Sequence, residues 1–164
     1  MNIYALSALA VGMLVVGVVA AKTTSSGSLS DHPFLSTCRD SLSEAAAWTA
    51  QEGERQGKNV SVTQRAVVAL KIPSVCKCTY EALGSTIPSA QNAIAGKLTG
   101  VQYKLTLALS AKDRVARDNA RNSSRQALED LSSTEGVSLA EIGLLSRHVD
   151  AALKRCFHQH FAKR

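Results

Sequence analysis

Hydrophobic positions along this chain fall into two regimes. Residues 3–21 are almost continuously apolar, interrupted only by Ser7, Gly12 and Gly17, whereas from Pro33 onward apolar residues recur at spacings of three and four. The first pattern is that of a targeting or anchoring helix; the second is the period of one helical face. Between them, residues 22–31 are rich in Ser, Thr and Gly, so no burial offsets their ordering entropy and a flexible linker is expected.

The periodic part predicts an all-α fold over residues 32–164, a bundle of four or five antiparallel helices. Asp31 can cap a first helix with Pro33 in its opening turn, and Phe34, Cys38, Leu42, Ala45 and Thr49 then share a face up to about Glu54. Ser61 with Gln64 forms a capping box, and the helix it opens carries Val67, Val68 and Leu70 and is expected to end before Pro73. Ser74 can cap a short helix through Cys76, Cys78 and Leu83, closed by Gly84. Residues 89–98 form a further candidate, weakened by Gly96 and Gly100. The longest expected helix covers 101–131, with Leu105, Leu109, Ala116, Ala120, Ala127 and Leu131 at helical spacing. Its seam is mostly Ala, so its neighbours must approach closely or its middle stays half-buried. After a turn at 134–137, Ser138 with Glu141 makes a second capping box. Ile142, Leu145, Val149, Leu153, Cys156 and Phe157 follow as the clearest amphipathic stripe in the chain.

Composition locates the charge. None of the 19 Lys and Arg or 13 Asp and Glu precedes residue 22, so the net charge of +6 belongs to the body alone. The front segment has two readings. A secretory signal would place Val19 and Ala21 at the small-residue positions before a cut at Lys22, although a basic n-region is missing. A retained single anchor is also long enough to cross a bilayer. Both place the body outside the cytoplasm, whether periplasmic, secreted or membrane-anchored.

That compartment decides how the four cysteines, Cys38, Cys76, Cys78 and Cys156, are read. An even count in an exported chain points to two disulfides. Cys76 and Cys78 are too close in sequence to pair with ordinary geometry, so each is expected to reach a different helix. Cys38–Cys78 with Cys76–Cys156 is the assignment carried forward, although sequence alone does not fix which sulfur goes where. The alternative is a copper or zinc site drawn from Cys76, Cys78, Cys156, His158 and His160, with His148 on a drifting face of the same helix. Thiol exchange at the Cys-Lys-Cys segment is a third reading.

Arg114, Arg117, Arg121 and Arg125 form a basic run suited to an anionic partner, such as lipid headgroups or an acidic protein; the plain reading is a solvated face in which Asp113 pairs with Arg117. No aromatic lies between Tyr103 and Phe157, so a stacking platform for nucleic acid is missing and no nucleic-acid partner is expected. Trp48, the single tryptophan, is expected to pack in the core, and His32 to be exposed in the first capping turn. Asn59 and Asn122 match the N-glycosylation pattern, at a frequency that chance supplies. No phosphate-binding loop, zinc-protease motif or nucleophile elbow occurs, and His148 and Asp150 face apart on one helix. The expectation is therefore a non-enzymatic, cofactor-free structural or accessory subunit acting through protein contacts, such as those of a membrane complex; extracytoplasmic metal binding is the alternative.

Overall fold

A computed structural model describes residues 32–55, 61–110 and 114–161. The front segment, the linker, Asp31, Asn59 and Asp113 lie outside the described residues. Within them the chain forms five α-helices: α1 (Pro33–Arg55), α2 (Val62–Leu83), α3 (Asn92–Leu109), α4 (Arg114–Glu135) and α5 (Leu139–Phe161). Short 3-10 turns at Gly84–Thr86 and Ser89–Gln91 join α2 to α3. The helical, disulfide-linked bundle is as the periodicity implies. No helix among the described residues is long and apolar enough to cross a membrane.

Both capping boxes form. At α2 the Gln64 N–H donates to Ser61 Oγ (3.1 Å) and the Ser61 N–H to Gln64 Oε1 (3.2 Å). At α5 the Ser138 N–H donates to Glu141 Oε2 (3.1 Å) and the Glu141 N–H to Ser138 Oγ (3.3 Å). Each box satisfies N–H groups that a helix start otherwise leaves to solvent.

Three expected helix boundaries are corrected, the first being the gap between the candidates at 89–98 and 101–131, which α3 bridges through Gly100. Pro73 does not end a helix; α2 runs through it to Leu83. A proline inside a helix costs about 3 kcal/mol because it removes one N–H and crowds the preceding turn. Here Pro73 is on the exposed face, where solvent can satisfy the freed carbonyl, while Ile72, Val75, Cys76, Thr79 and Leu83 bury the opposite face. The expected helix over 101–131 is likewise not continuous. It divides after Leu109, where the Ser110 N–H meets the carbonyls of Thr106 (3.3 Å) and Leu107 (3.2 Å) and its hydroxyl donates to Leu107 O (2.6 Å). Those bonds satisfy carbonyls of the last turn, as a helix end requires.

One core gathers α1, α2, α3 and α5 around Phe34, Leu42, Val75, Leu98, Ile142 and Val149. α1 and α3 run parallel, since their contacts rise together along both helices. They touch along three levels, Thr37 with Ala93, Ser41 with Lys97 and Glu44 with Lys104. α4 buries no residue completely and meets the core only through half-buried Leu128 and Leu131. Val67 and Leu70 are 42% and 79% exposed, and of the apolar residues Val67, Val68 and Leu70 only Val68 packs against the core. His32 is half-buried rather than exposed: its Nδ1 accepts the Phe34 N–H (3.3 Å) and its ring lies 4.3 Å from that of Tyr80.

The four cysteines form two disulfides, and the expected pairing is reversed: Cys38 bonds to Cys76 and Cys78 to Cys156. The continuity of α2 through Pro73 accounts for it. Cys76 falls on the buried stripe with Ile72 and Thr79 and meets α1, whereas Cys78, two residues on, points to a different side of the helix and meets α5. The Cα separations are 5.9 and 5.8 Å, within the ordinary span of such a bridge. With the joined cysteines 38 and 78 positions apart in sequence, chain-entropy arguments give about 4 kcal/mol of stabilisation for each.

Candidate functional site

A groove of about 790 Å³ lies between the last turns of α1, the second half of α3 and the first half of α4. Its origin is local. α4 is amphipathic but its inward face is built from Ala116, Ala120, Ser124 and Ala127, side chains too short to fill the space to Leu105 and Ala108 of α3. At its C-terminal end α4 is held more firmly. There Lys97 pairs with Glu135, and Ser132 Oγ donates to Val137 O (2.6 Å) before Gly136 turns the chain with a positive φ.

Trp48 lines the groove and is 44% exposed, so the core position expected for it is corrected. It occupies the last third of α1, beyond Ala45, where α4 does not close over it. Lys104 stands beside it, its Nζ 5.8 Å from the indole centroid and 3.1 Å from Glu44 Oε1. The lining also holds Glu52, Asn119 and Ser124 but no histidine or cysteine. The groove thus presents small, mostly apolar side chains, with an aromatic ring and the Lys104–Glu44 ion pair beside it.

The basic run lies elsewhere on α4. Arg114, Arg121 and Arg125 point away from the groove, and Asp118 sits among them, 3.8 Å from Arg114 Nε and 2.9 Å from Arg121 Nη1. Arg117 is half-buried at the edge between the two faces. Part of the run's charge is therefore matched within the helix, and pairs this exposed contribute little to stability. Asn122 is exposed on the same helix.

The residues of the alternative metal reading are not brought together. Cys76, Cys78 and Cys156 are bonded to other sulfurs, so none is a thiolate ligand in this state. His158 is exposed, while His160 is half-buried and its carbonyl accepts from Lys71 Nζ (2.5 Å). Among the described residues no three His, Cys, Asp or Glu side chains converge as a metal site would require.

An aromatic row that helical spacing alone does not reveal lies beside α5. Tyr103 stacks on Phe157 (5.1 Å) and Phe157 on Phe161 (5.2 Å), with Lys71 Nζ 4.7 Å over the last ring. Burial pushes the Tyr103 hydroxyl above the usual phenol range, because the phenolate would lose its hydration there. Comparison of the chain with protein-family models, with curated proteins and with solved structures finds no match.

Proposed function

We propose that this chain is an exported or membrane-tethered helical protein that works as a structural or accessory subunit through protein contacts. The observation that carries the reading is the pair of disulfides, which ties α1 and α5 to the single helix α2. Cysteines in this state are compatible with an extracytoplasmic location, and bridges that close long loops suit a small body working outside the reducing cytosol. The apolar front segment supplies the route, as a cleaved signal or a retained anchor. The groove beside Trp48 supplies an apolar contact surface, and the outer face of α4 offers arginines to an anionic neighbour.

Purification of the full chain from membranes in mild detergent tests this. A stoichiometric protein partner is expected, and Ala120→Arg, which places a charge in the groove, is expected to release it with the helical circular dichroism unchanged. A chain that never co-purifies with a partner overturns the reading. Amino-terminal sequencing of the same material separates its two forms: Lys22 at the start marks a released protein, Met1 a tethered one.

A further inference from the structure

We propose that Cys78 is a site of thiol–disulfide exchange, so that a dithiol opens the Cys78–Cys156 bridge while Cys38–Cys76 stays closed. Of the four cysteines, Cys38, Cys76 and Cys156 have no exposed surface, whereas Cys78 is only partly buried at the α2–α5 edge. Exchange requires a thiolate to reach one sulfur of the bridge, and access decides which sulfur is attacked. Cys78 is the sulfur within reach, and Cys156 is the group expelled. Of the cationic sequence neighbours, Lys77 is partly matched by Glu81 at 3.8 Å, and exposed Arg155 favours the approach of an anionic thiolate.

The surroundings also suit the opened state. Gln159 Oε1 lies 3.6 Å from Cys78 Sγ. A disulfide sulfur has no hydrogen to donate, so this contact becomes a hydrogen bond only once Cys78 is a thiol. Opening the bridge leaves the other ties of α5 in place: the stripe Ile142, Leu145, Val149 and Leu153, the aromatic row, and Lys71 on the His160 carbonyl. Access to Cys38–Cys76, by contrast, requires α1 to part from α2 around Phe34 and Val75. The two neighbouring cysteines are also isolated from each other, since residues two apart on a helix point about 200° apart. A freed Cys78 thus cannot pass the exchange on to Cys76 without unwinding α2.

The reaction balances as two steps. One thiolate of the dithiol attacks Cys78 Sγ, forming a mixed disulfide, and Cys156 leaves as a thiolate that takes a proton. The second thiolate of the reagent then attacks the reagent's own sulfur in that mixed disulfide, releasing Cys78 as a thiolate that takes the second proton. The protein bridge is reduced by two electrons and the dithiol is oxidised to a cyclic disulfide.

The oxidised full chain, incubated with dithiothreitol under native conditions and quenched with an alkylating agent at intervals, provides the test by intact mass and peptide mapping. A species with two alkyl groups, on Cys78 and Cys156 and with full helical circular dichroism, is expected to accumulate. The second pair should appear more than about tenfold more slowly, because it waits for the core to open. Four thiols released together, or Cys38 and Cys76 first, overturns the proposal. A Cys78→Ser, Cys156→Ser double variant gives an independent check: its remaining bridge must keep the slow rate, and opening as fast as the first bridge of the parent chain also overturns it.

Discussion

Small residues line two helix contacts in this molecule, with opposite results. Where α3 meets α1, Gly96 and Gly100 let the backbones close until polar groups engage: Thr37 Oγ1 donates to Ala93 O (3.1 Å), Ser41 Oγ donates to Lys97 O (2.7 Å), and the Gly100 N–H donates to Ser41 Oγ (3.1 Å). Where α4 faces α3 and α1, Ala116, Ala120 and Ala127 leave a groove. Small side chains permit close approach but do not drive it. The α1–α3 contact has hydroxyls at the right levels and apolar neighbours, Phe34, Leu98 and Ile94, that bury as the helices close. The mean character of α4 is polar and it has no residue of that kind on its first half.

Adding a side chain at the tight contact is the most damaging way to test the contrast. A Cβ at Gly96 would fall 1.9 Å from Thr37 Oγ1 and 2.7 Å from the Phe34 carbonyl oxygen; at Gly100 it would fall 2.2 Å from Ser41 Oγ and 2.5 Å from the Ser41 carbonyl oxygen. A hydroxyl can rotate away, but the backbone oxygens cannot, so the helices must separate. Gly96→Ala and Gly100→Ala are each expected to lose about 3 kcal/mol, the upper range for overpacking, measured as a fall in the denaturant midpoint at constant slope. A loss under about 1 kcal/mol would mean that α1 and α3 are not held at this distance.

The same enlargement on α4 should have the opposite sign. Ala120→Leu adds apolar surface to open space and is expected to raise stability by up to about 1 kcal/mol. Amide hydrogen exchange gives the matching dynamic contrast: the first half of α4 should exchange well before the buried half of α3, because few buried contacts hold it. Equal protection across the two helices would remove the distinction.

The pattern of spacing made some of this legible. The stripe of α5, the face of α1 from Phe34 to Ala45, and both capping boxes follow from local rules that tertiary contacts do not override. The half-burial of the α4 seam is one of the two outcomes its alanines allowed, close approach being the other. The missed features depend on the partner helix. Pro73 is tolerated only because α2 buries its other face, and the break after Leu109 is visible only through bonds made by Ser110. Gly96 and Gly100 weakened the expected helix when read by propensity, although their use lies in how close α1 comes. The disulfide pairing needed the phase of α2, which the expected break at Pro73 concealed, and the position of Trp48 needed the knowledge that α4 stops short of it.

The smallest expected effect concerns the corner that keeps α4 attached. α4 is fixed at its end by the turn through Gly136 into the capping box of α5, where the Ser138 hydroxyl donates to Glu141 Oε2 (2.5 Å). That bond, with the Ser138 backbone N–H, holds the Glu141 carboxyl below the usual glutamate range. A carboxylate whose pKa is lower folded than unfolded favours folding above its unfolded value of about 4.3, and this contribution fades as pH falls through the folded value. Because Glu141 is fully solvated, the change is slight against the titration of the whole chain, so it is best read locally. Exchange rates of the Ser138 to Ile142 amides should rise as pH falls below about 4, beyond the intrinsic change with pH, and those of the first turn of α2 should not, since Gln64 does not ionise. Glu141→Gln should remove the pH dependence while keeping the cap. If both corners loosen alike on acidification, the carboxylate is not what holds α4 at its end, and the ion pair of Lys97 with Glu135 takes that role.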